Sequence, residues 1–132
     1  MTTKSQTIFE MMKIFLERGE GKDLVKKVNS VFGFDILAKK GGKPVLSVTI
    51  DLKNGQGSVE FKKPASSDAI FTMVDGDFEQ VCKGTLNPQV AFMQGKMKIK
   101  GNMAAATKFT PELFPPPSEE NLKKYLPPGA KL

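Results

Sequence analysis

Catalysis near neutral pH needs a group that can trade protons or attack, and this 132-residue chain offers few. It has no His, which removes Ser-His-Asp and Cys-His catalysis, imidazole proton shuttling and His metal ligation. Its one cysteine, Cys82, is followed by Lys83. A neighbour in sequence is not a general base, so a buried, structural thiol is the plainer reading of Cys82. A single Cys also excludes an intrachain disulfide and a thiolate metal cluster. Glu119 and Glu120 are paired carboxylates, but they stand beside prolines in a solvated stretch. No GxGxxG, no GxxxxGK[ST] and no Asp-rich loop with EF-hand spacing occurs. No catalytic residue, no metal ligand and no cofactor is therefore expected.

What remains is apolar and soft. The chain carries ten Phe and seven Met against one Tyr and no Trp. Met11, Met12, Met73, Met93, Met97 and Met103 all fall on apolar faces or at element ends. Thioethers fill irregular core gaps and also line pockets for ligands of varied shape. Position alone leaves both uses open. The net charge of +6 comes from lysines spread along the chain. With one Tyr for base stacking, a solvated basic surface is the plainer reading, and no nucleic-acid partner is expected.

These side chains need elements to hold them. Ile8, Met11, Met12, Phe15 and Leu16 form one helical stripe, predicting a helix over 5–18. Thr7 with Glu10 matches a capping box, a start at Ser5 fits equally, and Gly19 and Gly21 end the helix after Arg18. A short helix over 22–30 carries Leu24, Val25 and Val28. The period then changes to two. Phe32, Phe34 and Ile36 alternate, as do Leu46, Val48, Ile50 and Leu52. Lys-Gly-Gly-Lys-Pro at 40–44 and Asn54-Gly55 mark turns. Val59 and Phe61 make a third strand that stops near Pro64, giving an antiparallel meander over 31–61. A fourth strand is expected over 69–74 and a helix over 77–83 with Asp77 and Gln80 as a capping box. Asn87-Pro88 starts a helix that stops at Gly95. Met97 to Lys100 alternate as a fifth strand, and 102–109 read as helical.

One domain suits this length. Six of nine prolines lie in the last 23 residues, which favours extended chain over packed core from Thr110 onward, with a helical turn or two at 118–125. The division expected is 1–109 and 110–132. No stretch approaches the ~20 apolar residues of a membrane span. The first ten residues lack a signal peptide's apolar core, so a protein made and kept inside the cell is expected.

The run from Gly84 to Met103, GTLNPQVAFMQGKMKIKGNM, resembles the most characteristic stretch of the sterol carrier protein 2 family, the non-specific lipid-transfer proteins. Asp51 to Ser58 resembles that family's second hairpin. Ile70 to Met73 with Asp77 and Phe78 resembles its fourth strand and following helix. The resemblance implies an α+β fold: a five-stranded mixed, largely antiparallel sheet covered by about five helices, enclosing an apolar tunnel. It implies a carrier of fatty acids, fatty acyl-CoA, sterols and phospholipids. Matched by position, the lipid-binding lining would be Met12, Phe15, Leu16, Ile50, Leu52, Met73, Phe78, Val81, Met97, Ile99, Met103 and Phe109, with Phe92, Met93 and Gln94 as neighbours.

The physical task is then plain. A chain of ~15 methylenes loses about 12 kcal/mol on leaving a bilayer for water, at ~0.8 per methylene. A dry apolar pocket returns most of that, with affinity following buried length more than headgroup. Lys4, Lys13 and Arg18 beside the first helix's stripe make that helix the candidate for docking on an anionic membrane surface. The tail would be a displaceable cover. Ala130-Lys131-Leu132 resembles the Ser-Lys-Leu peroxisomal address, implying an import receptor as partner and a peroxisomal protein with a cytoplasmic pool. A monomer is expected. Two rivals stand beside the carrier: a module that presents lipid to peroxisomal enzymes without transfer, and an acyl-transfer enzyme using Cys82.

Overall fold

Alternation of apolar and polar residues puts one face of each strand into the core. The structure, a computed structural model, describes residues 3–63 and 67–130. Its strands are β1 (Ser30–Leu37), β2 (Pro44–Leu52), β3 (Ser58–Glu60), β4 (Ala69–Val74) and β5 (Met97–Gly101). They form one sheet in the order β3-β2-β1-β4-β5. The meander β1-β2-β3 is antiparallel, as the turn signals require. β4 returns beside β1 in parallel and pairs antiparallel with β5, leaving β5 at an edge. Register sets Phe32 opposite Ile50 and Ala69, and Phe34 opposite Val48 and Phe71, on one buried face.

The helices are α1 (Lys4–Glu17), α2 (Lys22–Val28), α3 (Asp75–Cys82), α4 (Pro88–Met93), α5 (Met103–Ala106) and α6 (Glu119–Tyr125), with a 3₁₀ turn at Pro111–Leu113. The fold class is the expected α+β sheet, with six helices for about five. The apolar stripe of α1 turns inward, and Ile8, Phe9, Met11, Met12 and Leu16 are fully buried. The buried Glu79 carboxylate of α3 lies 3.5 Å from the Lys4 ammonium and 3.4 Å from that of Lys83. The Ser5 amide donates to the Asp75 carboxylate at 2.8 Å. These contacts fasten α1 to α3.

Several expectations fail at element ends. α1 is capped by Thr3, whose hydroxyl oxygen accepts from the Gln6 amide at 3.0 Å. The Thr7 hydroxyl instead donates to the Thr3 carbonyl, so neither the Thr7–Glu10 box nor the Ser5 start holds. α3 begins two residues early, at Asp75, directly off β4, and has no side-chain cap. Gln80 bonds Thr85 instead of closing a box with Asp77. β3 ends at Glu60, leaving Phe61 exposed; Pro64 lies outside the described residues. The helix expected over 102–109 stops at Ala106 because the next residues turn Phe109 into the core.

The largest correction concerns the proline-rich stretch. Leu113, Phe114, Leu122 and Tyr125 are buried in the main core, so this segment is not extended chain apart from it. Pro111 opens the 3₁₀ turn, where a missing N–H costs nothing, and Ser118 caps α6 by accepting from the Asn121 amide at 3.2 Å. The segment is also clasped to α1. The Arg18 guanidinium donates to the Lys124 carbonyl at 2.9 Å and lies 5.0 Å from the Tyr125 ring. The Tyr125 hydroxyl donates to the Glu20 carboxylate at 2.7 Å.

Candidate functional site

Asn87 and Asn102 each stand one residue before a short helix, and both caps form. The Asn87 side-chain oxygen accepts from the Gln89 amide at 2.8 Å, and that of Asn102 from the Ala105 amide at 3.1 Å. Between the two helices runs edge strand β5, entered through Gly95 and left through Gly101. Gly101 has φ +106°, and a Cβ there would meet the Asp68 carbonyl at 2.6 Å. Only glycine allows that approach, which lets the Asn102 amide donate to the same carbonyl at 2.8 Å. The Asp68 carboxylate accepts from the Val31 amide at 2.7 Å, tying this corner to β1.

The two helices and β5 leave a solvent-open cleft of about 390 Å³, within the size class of small-molecule sites, about 300–1,000 Å³. Met97 and Ile99 form its floor and Phe109 and Ala106 its back. Phe92, Met93 and Met103 stand at its mouth, 43%, 84% and 48% exposed. Asn87, Gln89, Thr107 and Thr110 supply the polar rim. Among the described residues no charged side chain lines it. The arrangement can surround an oily body and orient an uncharged polar end; it holds no acid–base pair.

Of the twelve expected lining residues, this cleft gathers Met97, Ile99, Met103 and Phe109. Met12, Leu16, Ile50, Leu52, Met73, Phe78 and Val81 lie fully buried in the core. Phe15 is half-buried with its ring 6.1 Å from that of Tyr125. Phe92 and Met93 join the cleft, whereas Gln94 does not line it. Pro88, Ala106, Pro111 and the four rim residues were missed. The Asn-Pro and Gly-Asn signals did mark where the walls begin, without saying that they face one another.

Phe109 divides the cleft from a cluster of rings. Its ring lies 4.7 Å from Phe71 and 5.4 Å from Phe34. Phe9 stacks on Phe78 at 4.7 Å, and Phe114 meets Phe78 edge-on at 5.4 Å. Such contacts add about 0.5–1.5 kcal/mol per pair beyond burial. Cys82 lies in the buried core, away from the cleft. Burial pushes its thiol well above the usual range, and the Glu79 charge adds to this, so it is no ready thiolate. Among the described residues no three His, Cys, Asp or Glu could hold a metal ion, and no helix is long and apolar enough to cross a membrane.

Residues 12–113 match the model of the SCP-2 sterol transfer family. The chain is 41% identical over 116 residues to sterol carrier protein 2 of Arabidopsis thaliana, covering 88% of this chain and 94% of that one. It is 42% identical over 90 residues to peroxisomal multifunctional enzyme type 2 of Mus musculus, covering 67% of this chain and 12% of that protein. Among solved structures, sterol carrier protein 2 from Yarrowia lipolytica in its apo form superposes with a TM-score of 0.64 at 33% identity, covering 75% of this chain and 80% of that one. The Aedes aegypti sterol carrier protein-2 complex with palmitate gives 0.57 at 26% identity, covering 86% of this chain and 96% of that one.

Proposed function

The chain belongs to the SCP-2 sterol transfer family, and from that premise we propose that it binds single lipids of varied headgroup and carries them between membranes. The cleft at β5 is the observation that supports this most directly. It is apolar, free of charge and open, and its exposed mouth residues gain by being covered. At ~0.8 kcal/mol per methylene, a chain partly enclosed there recovers a useful share of the cost of leaving a bilayer. The palmitate held by the Aedes aegypti relative makes a fatty acid the first ligand to try; acyl-CoA, sterol and phospholipid follow on the breadth that apolar burial allows.

In this reading residues 1–109 form the lipid-binding unit and the segment 110–132 its cover. Displacement of Phe109, and of Phe114 behind it, joins the cleft to the ring cluster and lengthens it into a tunnel. Met12, Phe15, Leu16, Ile50, Leu52, Met73, Phe78 and Val81 then become lining along with the four cleft residues. The protein acts as a monomer, touches anionic membranes transiently and reaches peroxisomes through Ala130, Lys131 and Leu132. Lys131 and Leu132 lie outside the described residues.

The test is titration with a fluorescent fatty acid, followed by competition with palmitate, oleoyl-CoA, cholesterol and phosphatidylcholine. Saturable one-to-one uptake is expected; no saturable uptake by any probe overturns the reading. The mouse relative, in which the matching region is a small part of an enzyme, favours the second reading, presentation of lipid without transfer. Donor-to-acceptor vesicle exchange separates the two: uptake without exchange selects presentation. Steady release of free CoA from acyl-CoA would point instead to an enzyme.

A further inference from the structure

The described residues expose six large apolar side chains, and four of them lie between Val90 and Met103. Met93 is the most exposed at 84%, although it ends a helix whose Ala91 is buried. Charge is segregated in the same stretch. From Gln80 to Pro111 there are five lysines and no Asp or Glu, so this quarter of the chain holds five of its six net positive charges. Lys83 is paired with Glu79, and the Lys108 ammonium donates to the Val28 carbonyl at 3.0 Å. Lys96, Lys98 and Lys100 have no carboxylate within 4.0 Å among the described residues. Lys96 sits in the turn after α4; Lys98 and Lys100 alternate along β5 with the cleft's own Met97 and Ile99 and so leave the strand on its other face, still at the sheet edge that borders the cleft.

An exposed apolar tip flanked by unpaired cations is the pattern of an interfacial anchor. We propose that the α4–β5 corner, with Phe92 and Met93 at its tip and Lys96, Lys98 and Lys100 beside it, docks this protein on an anionic bilayer and sets the mouth of the cleft against the lipid surface. The assignment rests on the reading of the cleft as a lipid site. A free anionic headgroup would satisfy the lysines, but it gives Met93 nothing; an anionic bilayer, with charged headgroups over hydrocarbon, satisfies both. Helix α1, the expected docking element, lacks a free apolar face. Its stripe is buried except for Phe15, which is half-covered by Tyr125; Lys4 is paired with Glu79, Arg18 is bound to the Lys124 carbonyl, and Lys13 lies 6.0 Å from the Phe61 ring.

Co-sedimentation with sucrose-loaded vesicles tests this, using phosphatidylcholine alone and with about one-third phosphatidylserine. The wild-type chain should partition more strongly onto the anionic vesicles. K96Q/K98Q/K100Q should lose at least about ten-fold of that binding, since each basic residue near a charged surface contributes measurably. None of the three lines the cleft, so fatty-acid uptake from vesicle-free solution should persist in this variant. Met93→Ser should weaken binding to both vesicle types. The proposal is overturned if the triple variant partitions like wild type, or if Lys4→Gln with Lys13→Gln causes the loss instead. It is equally overturned if the triple variant loses a DNA duplex in parallel while Met93→Ser changes nothing. Normal docking with no fatty-acid uptake by the wild type would sink the carrier reading and leave the docking surface standing.

Discussion

Phe34 and Phe92 are the same residue placed under opposite physics. Phe34, on β1, is fully buried, and the rings of Phe9, Phe71, Phe78, Phe109 and Phe114 lie within 5.2–6.0 Å of it. Phe92, on α4, is 43% exposed and borders open space. The sheet face holds the fold together by removing rings from water. The edge leaves similar groups in water, where they are stabilised only by something that arrives. A carrier needs both kinds of apolar surface, and here they meet at one residue, Phe109.

The sharpest way to break this contrast is to truncate both rings. Phe34→Ala should cost about 3–5 kcal/mol in urea unfolding, and Phe92→Ala under about 1 kcal/mol. Equal costs would mean that the edge is core after all. Next in size, Met103→Glu puts a charge at the cleft mouth. Stability should stay within about 0.5 kcal/mol, while affinity for a fluorescent fatty acid should fall about ten-fold or more, because a lone charge resists burial. Smallest is Tyr125→Phe, which removes the hydrogen bond to Glu20 and should cost about 1 kcal/mol. It also has a pH signature. Burial, then the bond to Glu20, holds the Tyr125 hydroxyl above its ordinary value of 10.0. Stability from this shift is full below that value and fades as pH rises through the raised one. Alkaline unfolding curves of wild type and Tyr125→Phe should therefore converge above pH 10; parallel curves would show that the clasp does not titrate.

Much of the sheet was legible because period-two alternation and turn chemistry act locally. β4 matches its expected bounds, and the meander follows from Asn54-Gly55 and the glycines near 41. Asn87-Pro88 marked α4 for the same reason. The caps of α1 and α3 were misread because Ser, Thr and Asp bond whichever amide the tertiary fold brings near, as Asp75 does with Ser5. The proline-rich stretch misled because proline restricts the backbone without deciding where Phe114 goes. The site was only partly legible. Inward-facing apolar positions show in the pattern, but whether two such faces touch or stand apart depends on helix placement. The lysines were visible as scattered; the missing carboxylates between Gln80 and Pro111 were the informative feature.

The position of Phe114 bears on how the molecule is made. Its ring completes a cluster whose other members are spread from Phe9 to Phe109. A nascent polypeptide cannot close that cluster until residue 114 has cleared the ribosome, and α6 cannot grip the first helix until later still. Much of the chain must therefore wait with greasy surface uncovered, and the core closes only late in synthesis.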